Sequence, residues 1–319
     1  MFDQKNPLSL YQGKKIIVTG GAGFIGAALC NFLAETSNVF ALDNLATGSW
    51  ERCNPGVERI HIDIAKCDDS EIFEMLRGAD YLFHLAAVKK HNKINSFHSI
   101  NLNNILATER LFRLAISANV PRIIFSSSLY AYGSMGPSIM SENDAVNPLT
   151  YYGLSKFMGE NLLRIASQQG LTSFVIPRLF FIYGPNQYAE GGYKSVIYKS
   201  FENILNGLPV EIYGSGLQVL DYVYIDDCVK SLILLASSEY QGVVNISSSI
   251  PTTVQQIIDE VNRITSNGST LRSAADWTEG SSRVGDNSRL KFLTGEIPTT
   301  SISVGLQKTW ESMKGNGHD

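Results

Sequence analysis

Short, continuously apolar runs alternate along the first half of the chain with stretches whose apolar residues return every three or four positions. KIIVTG, VFALD, RIHID, YLFHLA, RIIFSSS and SFVIPR are of the first kind. Runs this short and this uniformly apolar read as strands covered on both faces, as in a parallel sheet between helix layers. FIGAALCNFLAE, SEIFEMLRG, NILATERLFRLAIS and TYYGLSKFMGENLLRIASQ are of the second kind and read as helices with one core-facing stripe. Strands alternating with helices predict βαβ units, and hence an α/β fold built on a doubly wound parallel sheet. After Arg178 the alternation loosens, and helical periodicity returns near SVIYKSFENILNG, IDDCVKSLILLAS, VQQIIDEVNRIT and GLQKTWESM. A smaller C-terminal α/β domain over residues 179–319 is expected beside a first domain over residues 1–178. No Pro/Gly/Ser-rich linker separates them, so they are expected to interleave.

Composition and charge narrow the picture by exclusion. The 26 basic and 30 acidic residues give a net charge of -4 without a basic block that would follow a phosphate backbone, so nucleic acid is not expected as a partner. No apolar run approaches the ~20 residues of a membrane span. The N-terminal MFDQKNPLSLYQGKK lacks the apolar core of a signal peptide, and a cytoplasmic location without membrane association is expected. Cys30, Cys53, Cys67 and Cys228 are scattered without C-x-x-C spacing, which suggests neither a zinc site nor a disulfide framework, and no metal is expected.

The first strand runs directly into TGGAGFIG, where Gly20, Gly23 and Gly26 form a G-x-x-G-x-x-G turn opening a helix. Glycine there lets the backbone turn tightly and approach a pyrophosphate, whose charge is held by amides and a helix N-terminus. Asp43 follows Gly20 by 23 residues at the end of the second strand. Its carboxylate can accept from both ribose hydroxyls of an adenosine and would repel a 2′-phosphate. The reading is a Rossmann-type domain that prefers NAD to NADP.

YYGLSK places Tyr152 and Lys156 one helical turn apart on one face. Alone, that spacing also describes a packed aromatic beside a snorkelling lysine. The order along the chain changes the weight: glycine turn, acidic ribose binder, the strand-end serines of FSSSLYAYG, then Tyr-x-x-x-Lys. With LDNLATGS, HIDI, FHLAA, FIYGPNQ, EIYGSGLQVLDYVYIDD and SISVGLQKTWE, the chain resembles, over nearly its whole length, the extended short-chain dehydrogenase/reductase family, in particular its nucleotide-sugar epimerases and dehydratases. The resemblance implies NAD on Gly20, Gly23, Phe24, Ile25, Gly26, Asp43 and Asn44, with Asp63 and Ile64 beside the adenine and Ala86 and Ala87 under the cofactor. Lys89 and Asn104 match a lysine and an asparagine of the galactose epimerases, although a lysine in the polar KKHNK can equally be a solvated surface residue. It further implies that Tyr152 exchanges a proton with a sugar hydroxyl, that Ser128 hydrogen-bonds that hydroxyl, and that Lys156 holds the nicotinamide ribose and lowers the tyrosine's pKa. A free phenol titrates near pH 10, so ionising it near pH 7 needs ~4 kcal/mol. One ammonium at ~4 Å in an effective dielectric of about 20 supplies that much.

Absences select among the family's reactions. Its 4,6-dehydratases carry an Asp-Glu pair just after the strand-end Ser/Thr, and its decarboxylating members a glutamate in that turn; this chain has Leu129 and Tyr130. The expected activity is an NAD-dependent 4-epimerase acting on a nucleotide-diphosphate sugar, with an NDP-4-keto-sugar reductase or a catalytically lapsed NAD-binding regulator as alternatives. Two substitutions bear on substrate binding: Phe181 replaces an asparagine that contacts the nucleotide sugar, and Leu220 replaces an arginine that clamps the diphosphate. Arg283 stands where relatives have a second phosphate-binding arginine, or is a surface residue before a helix. Leu106, Leu111, Phe112, Phe157, Leu162 and Leu163 exceed what one sheet face covers, and the resemblance implies a homodimer through their two helices.

Overall fold

The computed structural model describes residues 7–89, 95–133, 139–168, 172–187, 194–273 and 282–315. The chain first forms β1 (Lys15–Thr19), α1 (Phe24–Leu33), β2 (Asn38–Asp43), β3 (Glu58–His61), α2 (Asp69–Leu76), β4 (Tyr81–His84), α3 (Asn95–Ile100), α4 (Ala107–Ser117), β5 (Arg122–Phe125), β6 (Ser127–Ser128), α5 (Tyr151–Ser167) and β7 (Ser173–Leu179). It continues as β8 (Phe181–Tyr183), α6 (Val196–Leu205), β9 (Val210–Tyr213), β10 (Val219–Leu220), β11 (Tyr222–Tyr224), α7 (Ile225–Ser237), β12 (Gly242–Ile246), β13 (Thr252–Thr253), α8 (Val254–Thr265), β14 (Thr270–Ser273), β15 (Ser282–Arg283), α9 (Ser288–Thr294) and α10 (Ile302–Gly315).

The main sheet has the order β12-β7-β5-β4-β1-β2-β3, with β6 pairing β7, and every pairing is parallel. Its central strands β1 and β4 are largely apolar because both faces are covered, whereas the edge strand β3, ERIH, is mostly exposed. Ile16 and Val18 join a core layer with Leu29 and Leu33 of α1 and Leu232 and Leu235 of α7. Ile17, between them, joins the opposite layer with Ile72 of α2, Leu111 and Phe112 of α4 and Leu163 of α5. Each such side chain fully buried stabilises the fold by about 1.5–3 kcal/mol.

The second half leaves the sheet and returns to it. β8 pairs β11, β10 lies between β13 and β15, and β9 pairs β14. β12 then pairs β7 at the edge of the main sheet, and α7 packs against α1. GVVNI, not among the expected strands, is thus a main-sheet strand. The expected apolar surplus on α4 and α5 needs correction: Leu111, Phe112 and Leu163 are fully buried in the chain's own core. Phe157 and Leu162 are half-buried, and Leu106 is exposed as expected, together with Phe97, Tyr151, Leu154, Met158 and Ile165. No helix among the described residues is long and apolar enough to cross a membrane.

Candidate active site

A cavity of about 620 Å³ opens at the carboxyl ends of the central strands and is lined by Gly20, Gly23, Phe24, Ile25, Gly26, Ala87, Lys89, Ser128, Tyr152, Lys156, Phe181, Leu220 and Arg283 among others. In the sheet order the chain reverses direction of winding between β1 and β4, which is where doubly wound sheets bind ligands. Gly20 has φ 71°, and a Cβ there would meet the Ala86 nitrogen at 2.7 Å. A Cβ on Gly26 would stand 2.0 Å from the Gly20 carbonyl oxygen, so only glycine lets α1 start this close to the turn. Gly23 caps α1 without any side-chain hydrogen bond, and the first turn, Phe24, Ile25 and Gly26, lines the cavity. Uncapped amides at the positive end of a helix fit a pyrophosphate.

Asp43 ends β2 with Oδ2 accepting from the Ala22 amide at 3.1 Å and Oδ1 from the Leu45 amide at 2.8 Å. Burial raises its pKa, against the pull of those two amides and of the nearby Arg52 and His61 charges. Asp63 follows β3, beside β2; burial acts to raise its pKa, but hydrogen bonds from Lys66, Ala65 and Asn44 bring it below the usual carboxylate range. Asp43, Asn44, Asp63 and Ile64 thus gather at the ends of two neighbouring strands, beyond the cavity wall proper. Ala86 packs behind Gly20.

The residues expected to transfer a proton come from α5 and the β6 turn. Thr150 caps α5, its Oγ1 accepting from the Gly153 amide at 3.0 Å, and a Cβ on Gly153 would meet the Tyr130 carbonyl oxygen at 2.2 Å. That close approach brings Tyr152 against the Ser128–Tyr130 turn. The Tyr152 phenol is hydrogen-bonded with Ser128; burial holds its pKa well above the ordinary phenol value, opposed by that bond. The Lys156 Nζ lies 4.9 Å from the Phe125 ring centroid and 5.9 Å from that of Tyr152. Burial pushes its pKa down to about 7, with the charge of Glu160 acting against the shift. Glu160 is itself fixed in the core, accepting from Arg178 at 2.8 and 2.7 Å and from the Ser127 hydroxyl at 2.5 Å. Desolvation makes the phenol and the amine each unfavourable when charged, and opposite charges on the two would offset part of that cost.

Asn104 sits on a π-helical turn, Asn101–Leu106, that joins α3 to α4; such turns are frequent at functional sites. Its Oδ1 accepts from the Val88 amide at 2.7 Å, and its Nδ2 donates to the Val88 carbonyl at 2.9 Å and to the Ser155 hydroxyl at 3.1 Å. Buried and fully engaged, Asn104 sets the wall between Val88 and α5 without lining the cavity itself. Lys89 does line it; the rest of KKHNK lies outside the described residues.

Of the residues expected to meet substrate, Leu220 and Arg283 are register partners in the β10–β15 pair, and Phe181 packs its ring 6.0 Å from that of Tyr222. Gln187, Lys194, Lys199, Glu211 and Tyr213, which the sequence does not single out, also line the cavity, as does Tyr130. Lys194 pairs with Glu202 at 2.6 Å, and Lys199 bonds Glu211 at 2.5 Å and the Tyr213 hydroxyl at 2.8 Å. Nothing in a charged helix start such as YKSVIYKS distinguishes a cavity wall from a solvated face.

Among known proteins, the chain is 30% identical over 92% of its length, and 95% of the other's, to the uncharacterized UDP-glucose epimerase YtcB of Bacillus subtilis (strain 168). It is 27% identical over 93% of its length, and 96% of the other's, to a UDP-N-acetyl-alpha-D-glucosaminuronate decarboxylase of Bacillus cytotoxicus. Its structure superposes with a TM-score of 0.85 at 27% identity, over 95% of this chain and 99% of the other, on UDP-glucuronic acid 4-epimerase from Bacillus cereus in complex with UDP-glucuronic acid and NAD. The family model described as the NAD dependent epimerase/dehydratase family matches residues 16–247. With the glycine turn and Ser128–Tyr152–Lys156 around one cavity and the Asp43 carboxylate at the neighbouring strand end, the chain belongs to the NAD-dependent epimerase/dehydratase family.

Proposed function

We propose that this protein is an NAD-dependent nucleotide-sugar 4-epimerase of the cytoplasm. The observation that carries the reading is Ser128, Tyr152 and Lys156 meeting at one cavity wall while Leu129 and Tyr130 occupy the turn where a dehydrating or decarboxylating site would need an acid. NAD, held by the glycine turn and Asp43, supplies a hydride acceptor and donor at carbon 4. Tyr152 takes the proton of the sugar's 4-hydroxyl, with Ser128 hydrogen-bonded to the same oxygen and the Lys156 ammonium stabilising the phenolate. Phenol and sugar must then exchange the proton back once the sugar has presented its other face. Residues 1–178 would carry the cofactor and residues 179–319 most of the substrate contacts, interleaved through α7 and β12.

The test is incubation with a panel of nucleotide sugars without added cofactor, read by product NMR. Interconversion of 4-epimers is expected. No interconversion by protein shown to hold NAD would remove the reading, and turnover only of 4-keto sugars with added NADH would replace it by the reductase.

A homodimer is part of the same proposal. Tyr151, Leu154, Met158 and Ile165 lie exposed at spacings of three, four and seven on one face of α5, with Leu106 exposed on the neighbouring π-helical turn. An apolar stripe of this period suits a helix of a second copy. Leu154→Lys with Ile165→Lys is expected to give a monomer of about half the mass in light scattering; a wild type already monomeric at micromolar concentration would contradict it.

A further inference from the structure

The stripe of α5 that carries Tyr152 and Lys156 continues by one more turn to Glu160. Helical neighbours four residues apart have their Cβ atoms about 5–6 Å apart. Glu160 is fully buried. Its Oε1 accepts from the Ser127 hydroxyl at 2.5 Å and from the Arg178 Nε at 2.8 Å, and its Oε2 accepts from the Arg178 Nη2 at 2.7 Å. Ser127 and Arg178 are register partners in the β6–β7 pair, and Ser128, hydrogen-bonded with Tyr152, is the next residue of β6. Glu160 thus fastens the helix bearing Tyr152 and Lys156 to the strand bearing Ser128. Arg178 compensates the burial of the carboxylate.

The other charged and titratable groups around Lys156 and Tyr152 do not duplicate this carboxylate. From β4, His84 is bonded to the Thr19 and Thr108 hydroxyls at 2.6 and 2.9 Å, and burial together with the Lys156 charge brings its pKa to about 3, so it stays neutral near pH 7. Lys89, after β4, lies 5.7 Å from the Tyr152 ring centroid, and burial and Arg283 act on its charge. Tyr130, after β6, meets the Tyr152 ring edge-on with centroids 6.0 Å apart. On α4, Glu109, Arg110 and Arg113 pair with one another or with Asp69, and His98 of α3 is exposed. Among the described residues, Glu160 is the one carboxylate whose charge acts on Lys156.

Resting on the epimerase reading above, we propose that Glu160 is a positioning residue of this site: through Ser127 it holds β6 against α5, and through its charge it keeps Lys156 an ammonium beside the Tyr152 phenolate. The charge acts unequally on the pair, because Glu160 stands one turn from Lys156 and two turns from Tyr152. Removing it disfavours the ammonium more than it favours the phenolate. The working pair is lost at low pH when the phenolate gains a proton and at high pH when the ammonium loses one. Without Glu160 both edges move toward acid, the alkaline edge further, and the pH window of activity narrows.

The experiment titrates NAD-loaded protein by carbon NMR of lysine labelled at Cε, the Lys156 signal being assigned by its loss in Lys156→Met, and measures kcat/KM against pH on the same proteins. In Glu160→Gln the Lys156 midpoint is expected to fall by about one pH unit or more, with the alkaline limb following it. Glu160→Gln with Arg178→Met removes both buried charges and so guards against a single variant that does not fold; its midpoint is expected to fall in the same direction by less. Glu160→Asp, which keeps the charge, is expected to hold the midpoint close to wild type even where Tm drops. Ser127→Ala, which keeps every charge, is expected to lower kcat with midpoint and limb unmoved, and wild-type kcat in this variant would remove the fastening role. A midpoint unmoved in both Glu160→Gln variants, with only Tm and kcat reduced, makes Glu160 merely structural and overturns the proposal while the epimerase reading stands. A midpoint that moves in a protein whose wild type interconverts no 4-epimers leaves the action of Glu160 on Lys156 in place and removes the epimerase reading instead.

Discussion

Replacing Lys156 by Met removes an ammonium from beside Tyr152, the proposed proton-transfer phenol, while keeping the volume of the stem. Two unit charges 5.9 Å apart, the separation of Nζ from the Tyr152 ring centroid, interact by about 3 kcal/mol at an effective dielectric of about 20. That corresponds to about two pKa units for the phenol, and so to about 100-fold in turnover at neutral pH. The assay is kcat/KM against pH, with NAD affinity measured in parallel: the variant's rate is expected to fall about 100-fold at pH 7, its rising limb to move about two units upward, and NAD to bind more weakly. Stability should move the other way. Unfolded, the lysine keeps its proton to about 10.5; folded, burial brings it to about 7. Between those values the unfolded state binds more protons, so this group makes wild-type stability rise with pH. Lys156→Met lacks that term, and its gain in Tm over wild type is expected to be largest at pH 7 and below and to shrink toward pH 10.5. A variant with activity within threefold of wild type, an unshifted pH profile and a pH-independent Tm difference would refute the reasoning.

Tyr152→Phe removes one oxygen and keeps the ring, so turnover is expected to fall by the ~10²–10⁴-fold of a lost general acid/base while Tm and NAD affinity stay close to wild type; kinetics beside calorimetry check both halves. Asp43→Ala should weaken NAD more than NADP, because it removes the ribose acceptor and leaves the Arg52 charge near the site, and titration of the two cofactors reads this directly. Glu160→Ala leaves Arg178 charged in the core, where Arg178 is 2% exposed, and is expected to cost about 3–5 kcal/mol in denaturant unfolding, with Glu160→Gln milder.

Much of this protein follows from local pattern alone. A run such as Ile16–Val18 is apolar at successive positions because each side chain meets a helix layer on its own side of the sheet, and that requirement is visible without a partner being known. The glycine turn is legible for the same reason: Gly20 and Gly26 answer to backbone contacts within the turn and with Ala86, which no side chain tolerates. Tyr152 and Lys156 share a helix face by spacing. What spacing left open, tertiary packing decided. Leu111, Phe112 and Leu163 face inward while Leu154 and Ile165 face out, because the rotation of a helix is set by the sheet beneath it rather than by its own periodicity. Asn104 turns to Val88 and Ser155 through a π-helical turn that leaves no compositional signal. Lys89, Tyr130 and Arg283, up to 194 residues apart in the sequence, meet only because β6, β15 and the loop after β4 converge on one end of the cavity, and the charge they place there depends on distance through space, which a linear sequence does not contain.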